Sequence, residues 1–76
     1  MARRKVMLAF SEEVVAEPII YNIGQQFKVV TNIRRANMTE EGGWIEVDLE
    51  GEDKDIADGI AWAISRGVRV NEIAEM

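Results

Sequence analysis

The fold is decided by residues 42–50, GGWIEVDLE, together with the β-prone run that precedes them, residues 29–34, VVTNIR. After the glycine pair, apolar and acidic residues alternate strictly, and this period of two is typical of a half-buried antiparallel strand. Glycine adopts positive φ at little steric cost, so the pair suits the turn between two strands. The two stretches predict a central β-hairpin whose second strand turns Ile45, Val47 and Leu49 toward the core.

A strand and a helix are predicted before this hairpin. Residues 4–10 alternate as a strand, and Pro18 suits the first turn of a helix because its missing N–H costs nothing there. Gly24 is expected to weaken or end this helix. The hairpin itself is predicted as a strand over residues 27–38, a turn over 39–43 and a strand over 44–50.

A second helix and a last strand are predicted after the hairpin. Residues 51–55 open the helix with acidic side chains, which suit the positive end of its dipole. An apolar stripe follows at helical spacing, and Gly67 is a strong stop signal. Residues 68–73 alternate as a final strand. The stripe consists of Ile56, Ile60, Ala63 and Ile64.

The resulting order, β-α-β-β-α-β, predicts one α+β domain over residues 1–76. Its natural closure is a ferredoxin-like sandwich, a four-stranded antiparallel sheet with both helices on one face. If Ile33 and Ile45 point to the core, the other sheet face stays open. Met7, Val30 and Trp44 are apolar for such a face and are candidates for a contact patch. The open face is expected to carry Met7, Lys28, Val30, Asn32, Arg34, Trp44, Glu46, Asp48, Arg69 and Asn71.

Composition narrows the function. The chain has 76 residues, no cysteine and no histidine, so disulfides, iron–sulfur ligation and the commonest general base are absent. Nine basic and fourteen acidic residues give a net charge of −5, which disfavours general nucleic-acid binding. The apolar runs are too short for a signal peptide or a membrane span, which predicts a cytoplasmic protein. Homodimerisation would stabilise so small a domain.

Catalysis and metal binding are not expected. Glu46 and Asp48 share a strand face, but an acid–base pair needs a desolvated pocket, and an open sheet face is expected to leave both carboxylates solvated. No EF-hand-like spacing is present for a hard cation. We therefore predict neither an enzyme nor a cofactor.

The joint order of several short motifs resembles the NIL domain over nearly the whole chain, from about residue 6 to residue 73. These motifs are residues 17–20 (EPII), 31–34 (TNIR), 42–43 (GG), 57–64 (ADGIAWAI) and 67–70 (GVRV). The family is named for an Asn-Ile-Leu tripeptide in its second strand. Asn32 and Ile33 match its first two positions, and Arg34 stands where the family has Leu.

The resemblance implies an ACT-like module that dimerises and senses an amino acid, as the regulatory domain of methionine importers does. The ligand would be methionine or a related sulfur compound, bound near Asn32, Ile33, Arg34 and Gly43. A guanidinium at position 34 would pair with a ligand carboxylate or block an apolar pocket. The regulated partner would be a separate transporter or sulfur-metabolism protein.

Two alternatives stay open on the residues alone. The domain can be an adaptor that docks on a larger protein through its open face or a free sheet edge, without a ligand. The bland interpretation of Arg34 and Arg35 is that they are solvated charges that protect a sheet edge. An RNA-binding sheet would need aromatic residues on adjacent central strands, and Trp44 alone does not meet this.

Overall fold

A four-stranded antiparallel sheet and two helices form the protein in the computed structural model, which describes residues 1–73. The predicted order and the α+β ferredoxin-like fold are confirmed. The strand order is β2-β3-β1-β4, so β1 and β3 are central and β2 and β4 lie at the edges. The elements are β1 Ala2–Ser11, α1 Ile19–Gln26, β2 Val30–Thr39, β3 Gly42–Gly51, α2 Asp53–Ser65 and β4 Arg69–Glu72.

The core lies between the sheet and the helix layer. On the central strands, Val6, Val47 and Leu49 are fully buried, as the alternation of both strands predicts. Ile23 of α1 and Ile56 of α2 complete the core from the helix side. Because burial of a large aliphatic side chain contributes about 1.5–3 kcal/mol, this alternation is what closes the sandwich.

The first helix is longer than predicted. Gly24 does not end α1, which continues to Gln26 and is capped when the Phe27 N–H donates to the Ile23 carbonyl at 3.2 Å. Lys28 then turns the chain with a φ of +55°, so β2 begins at Val30 and not at residue 27. Lys28 therefore lies outside the sheet, and its predicted place on the open face was wrong.

The second helix buries a narrower stripe than predicted. Ile56 and Ala63 are fully buried, but Ile64 is 55 % exposed, because at 100° per residue it lies on the flank of the buried face. Trp62 packs on the other flank, with its ring centroid 6.0 Å from that of Phe27. Gly67, with a φ of +97°, ends the segment as its sequence signal indicates.

The hairpin turn is tighter than predicted. Thr39 pairs with Gly42, so only Glu40 and Glu41 form the loop and both glycines already belong to β3. The Thr39 hydroxyl donates to the Gly42 carbonyl at 3.1 Å and accepts from the Glu41 N–H at 3.2 Å. The Thr39 side chain therefore stabilises the turn, a role that the sequence interpretation assigned to the glycine pair alone.

Candidate functional site on the edge strand

The predicted site residues lie on β2 and at the start of β3. β2 pairs only with β3, so its other edge presents unpaired backbone N–H and C=O groups. Nearly every side chain of the strand is exposed or half-buried. This strand is consequently the most accessible part of the sheet.

The sheet register places Asn32 and Ile33 on opposite faces. Asn32 lies across from Asp48, on the face that the helices leave open, and Ile33 lies across from the buried Val47. Ile33 is on the helix side, as predicted, but it is 55 % exposed because β2 is an edge strand. The sequence interpretation grouped the two residues at one site, and the structure separates them by the thickness of the sheet.

A β-bulge lies in β2 directly after Ile33. Ile33 pairs with Val47 and Arg35 pairs with Glu46, so Arg34 is an extra residue without a partner in the register. A bulge of this kind bends its strand and re-aims its side chains. Arg34 and Arg35 therefore both reach acidic residues on the open face of β3. In a regular strand, two consecutive side chains would point to opposite faces of the sheet.

Both arginines form ion pairs with β3. Arg34 Nη1 donates to Asp48 Oδ2 at 3.2 Å, and Arg35 Nη2 donates to Glu46 Oε1 at 2.9 Å. The Arg35 guanidinium carbon also lies 5.9 Å from the ring centroid of Trp44, a cation–π distance. The sequence analysis placed Arg34, Glu46 and Asp48 on the same open face, and no sequence pattern indicated the bulge that brings in Arg35.

The two carboxylates are buried on the open face. Asp48 is 4 % exposed and Glu46 is 9 % exposed, which corrects the expectation that they are solvated. They lie on a central strand, and the ion-paired arginines of β2 approach them from one side. The hydrogen bond from Arg35 holds the pKa of Glu46 below its ordinary value of 4.5, against the opposing effect of burial.

One oxygen of this cluster has no partner. Oδ1 of Asp48 is buried and accepts no hydrogen bond from the described part of the chain. Across β1, Lys5 lies opposite Asp48, and its charge also lowers the pKa of Glu46. An unsatisfied buried acceptor costs about 1–3 kcal/mol, so its presence here calls for an explanation.

The apolar residues of the open face do not form one patch. Val30 pairs with Glu50, whereas Trp44 lies six residues away at the other end of β3, about 20 Å along the strand. Met7 lies between them, opposite Glu46. The predicted patch was therefore wrong in including Val30, because Glu46 and Asp48 separate Val30 from Trp44 and Met7, which are diagonal neighbours on adjacent strands.

A separate apolar groove runs along the helix side of β2. It encloses about 230 Å³ between the edge strand and the start of α1. Ile33 and Tyr21, which both line it, are 55 % and 65 % exposed. Phe10, Val15, Pro18, Ile19, Ile20, Met38 and Ile45 also line the groove, and Glu17 is its one charged lining residue.

Gly43 is required by the close packing of two neighbouring strands. A Cβ at this position would lie 2.0 Å from the carbonyl oxygen of Asn37 on the neighbouring strand. Only glycine permits this approach of the two backbones. The structure brings Gly43 close to the end of β2, opposite Met38, and not to Asn32.

Comparison with known proteins agrees with this architecture. The model of the NIL domain matches residues 4–72. Among solved structures, the C-terminal domain of an ABC transporter ATP-binding protein from Enterococcus faecalis is similar, with 26 % identity and a TM-score of 0.85. The match covers 96 % of this chain and 86 % of that one. No curated protein matches.

A membrane-spanning helix is not found among the residues that the structure describes. The family match extends from the first residues of β1 to the end of β4 and includes both helices, the bulged strand and the hairpin. The β-α-β-β-α-β order, the tripeptide position on β2 and the glycine pair of β3 all fall within it. The chain therefore belongs to the NIL domain family.

Proposed function

We propose that this chain is a non-enzymatic regulatory domain that binds a small amino acid, methionine or a related sulfur compound, along strand β2. The observation that carries the proposal is Asn32, which lies exposed on the edge strand β2 beside the buried carboxylate of Asp48. Family membership supports a sensing role for this position. An amide at the rim of a charged, desolvated cluster supplies the directional hydrogen bonds that small-ligand sites use.

The regulated partner in this proposal is a transporter or an enzyme of sulfur metabolism. The similar solved domain belongs to an ABC transporter ATP-binding protein, and this supports a transporter context. We place the domain in the cytoplasm, where an amino acid that accumulates inside the cell would reach it. Ligand binding would then change the surface that the partner meets.

A homodimer along β2 is part of the same proposal. The free edge of β2 and the apolar groove beside it are continuous, since Ile33 belongs to both. A second copy related by a two-fold axis would cover this surface, and the ion pairs of Arg34 and Arg35 would limit charge repulsion where the two strands approach. Asn32 of each copy would then lie close to the interface.

A second candidate is a protein adaptor without a ligand. The bulge and the arginine pair favour it, because they present fixed charged groups at an exposed edge. On this interpretation the same strand docks on an acidic surface of a larger protein. Loss of partner binding on changing Trp44 or Arg34, without any amino-acid effect, would favour the adaptor.

The test is a ¹⁵N–¹H NMR titration with L-methionine, homocysteine and unrelated amino acids. We expect saturable shifts centred on Asn32 and its neighbours on β2. Asn32→Ala should remove these shifts and leave the fold and the dimer intact.

Asn37→Ala is the matched control. Asn37 is an exposed asparagine on the same strand and the same face, opposite Trp44. The Asn37→Ala variant should bind the ligand as the unaltered chain does. If no amino acid shifts any resonance at millimolar concentration, the sensor proposal fails and the adaptor remains.

A further inference from the structure

An apolar cleft at the hairpin end of the sheet is not used by the proposed function. It lies between the loop that follows β1 and the β2–β3 hairpin, and it encloses about 750 Å³. Val15 and Ala16 line it from the loop, and Met38 lines it from the end of β2. Val15 and Met38 are half-buried and Ala16 is exposed, so the described chain leaves this surface uncovered. An apolar surface with a polar rim is typical of an interaction site.

Both walls of the cleft are held by hydrogen bonds within the chain. Ser11 pairs with Gly42, so the loop and the hairpin leave the sheet side by side. The N–H groups of Val14 and Val15 both donate to the Ser11 carbonyl at 3.1 Å, and the buried Val14 side chain anchors the loop in the core. The Thr39 hydroxyl holds the hairpin on the other wall. The cleft is therefore formed in advance, and binding does not have to order these two segments.

The rim of the cleft is acidic on both walls. Glu12 lines it from the loop, and Glu40 lines it from the hairpin. Glu13 and Glu41, the next residues along the chain, are also exposed. None of these four carboxylates forms an ion pair with another of residues 1–73. An apolar floor thus lies between two pairs of negative charges that the described chain does not neutralise.

We infer that this cleft binds an amphipathic helix with a basic polar face, contributed by the protein that the domain regulates. Such a helix has an apolar stripe with lysine or arginine on both flanks. The stripe would cover Val15, Ala16 and Met38, and the flanking cations would meet Glu12 on one wall and Glu40 on the other. Met38 suits this contact, because its flexible thioether side chain adapts to different apolar partners. The inference gives the proposed regulatory domain a partner surface, and it does not depend on amino-acid binding.

Other occupants fit the cleft less well. A small molecule would stay largely solvated, because the cleft is wide open to solvent, whereas small-molecule sites bury most of the ligand surface. A second copy of this chain would bring like charges together, since a two-fold axis through the cleft places the same four glutamates of both copies face to face. The proposed dimer along β2 leaves the cleft at its rim, because Met38 lies about 13 Å along the strand from the bulge at Arg34.

The experiment titrates the ¹⁵N-labelled protein with a synthetic peptide of leucine and lysine, about 15 residues long, whose leucines form one helical face. We expect saturable NMR shifts centred on Val15, Ala16, Met38 and Glu40. One control peptide has glutamate in place of lysine, and another has the same composition in an order that gives no apolar face. Neither control should bind. No shift at millimolar peptide, or equal binding of the peptide without an apolar face, would overturn the inference.

Glu12→Gln/Glu40→Gln tests where the peptide binds, and Glu52→Gln/Asp58→Asn is the matched control. Each double variant removes two negative charges from a net charge of −5, and all four side chains are exposed. The rim variant should raise the peptide Kd at least about threefold, because two local ion pairs are lost, and the control should leave it within about 1.5-fold. Equal Kd values for the two double variants would show that the contact is not at the cleft.

Ala16→Arg tests the apolar floor, and Ala61→Arg on α2 is its control, because both alanines are exposed. A guanidinium on the floor would fill the cleft and repel the lysines of the peptide. A16R should therefore raise the peptide Kd at least about tenfold, and A61R should raise it by less than about twofold. A similar Kd for A16R and A61R would contradict the assignment of the floor.

The outcomes separate this inference from the proposed function, because L-methionine is titrated into the same samples. If methionine binds and the peptide does not, the cleft is wrong and the sensor proposal stands. If the peptide binds and no amino acid does, the cleft stands and the sensor proposal fails. Spermidine that shifts the same resonances at the same concentration would show a general polycation site and overturn the helix. Shifts of Glu12 and Ala16 on dilution of the protein alone would place a second copy in the cleft and also overturn it.

Discussion

Ile33→Gln gives a quantitative test of the proposed dimer along β2. Complete burial of an isoleucine is worth about 1.5–3 kcal/mol, and about half of the Ile33 side chain is still exposed in the protomer, so a partner would gain about 0.8–1.6 kcal/mol by covering it. Each copy in a two-fold interface contributes one Ile33, so the substitution should weaken the dimer by about 1.5–3 kcal/mol in total. The dimer Kd should therefore rise by about tenfold to a hundredfold.

Ile64→Gln is the control for this experiment, because Ile64 is the same residue type with the same 55 % exposure, on α2 and not among the groove residues. Sedimentation equilibrium of both variants and the unaltered chain measures the three Kd values. Both substitutions should lower the free energy of unfolding of the protomer by a similar amount, about 0.7–1.4 kcal/mol, because a little under half of each side chain is already buried in the protomer. Equal Kd values for the two variants, or a chain that is monomeric at every concentration tested, would refute the assignment of the interface to β2.

Further predictions concern the hairpin and the ion pairs. Gly43→Ala should lower the free energy of unfolding by more than about 2 kcal/mol, because its Cβ would lie 2.0 Å from the Asn37 oxygen. Gly24→Ala should raise it by up to about 1 kcal/mol, since that Cβ meets only an ordinary contact at 3.5 Å in a helix. Urea denaturation measures both values, and a destabilised G24A with a neutral G43A would contradict this description of the two glycines. Glu46 has a lowered pKa in the folded state, so the unfolded chain binds its proton more readily and the stability from the Arg35 pair is lost as the pH falls through the folded-state pKa. Urea midpoints measured from pH 7 to 3 should therefore fall less steeply below about pH 4.5 for Glu46→Gln than for the unaltered chain, and parallel profiles would show that this pair does not contribute.

The sequence predicts the sheet well because period-two alternation is strong on both central strands. Val6, Val47 and Leu49 each face the core for that reason, and the order of the elements follows from the glycines and Pro18 between them. Helix ends were harder to place. Gly24 is only a weak breaker inside an otherwise apolar helix, and tertiary packing of Ile23 outweighs it.

The site was predicted in part. Asn32, Ile33 and Arg34 do lie on an accessible strand, but the sequence carried no signal for the bulge and so none for the second arginine pair. Burial of Asp48 was also missed, because alternation assigns a residue to a face and does not say what covers that face. Two consecutive arginines in a strand that pairs with an acidic strand are the one sequence feature that indicates such a bulge.

The bulge at Arg34 also determines which changes this strand can tolerate. Ile33 on one side and Ala36 on the other both face the helices, and only the extra residue between them breaks the regular alternation. Deleting Arg34 would thus restore an ordinary strand without turning any core residue outward. The register of the core therefore does not depend on position 34. Arg34 is nevertheless the hydrogen-bond partner of the buried Asp48, so we expect a change at position 34 to be tolerated only where Asp48 changes with it.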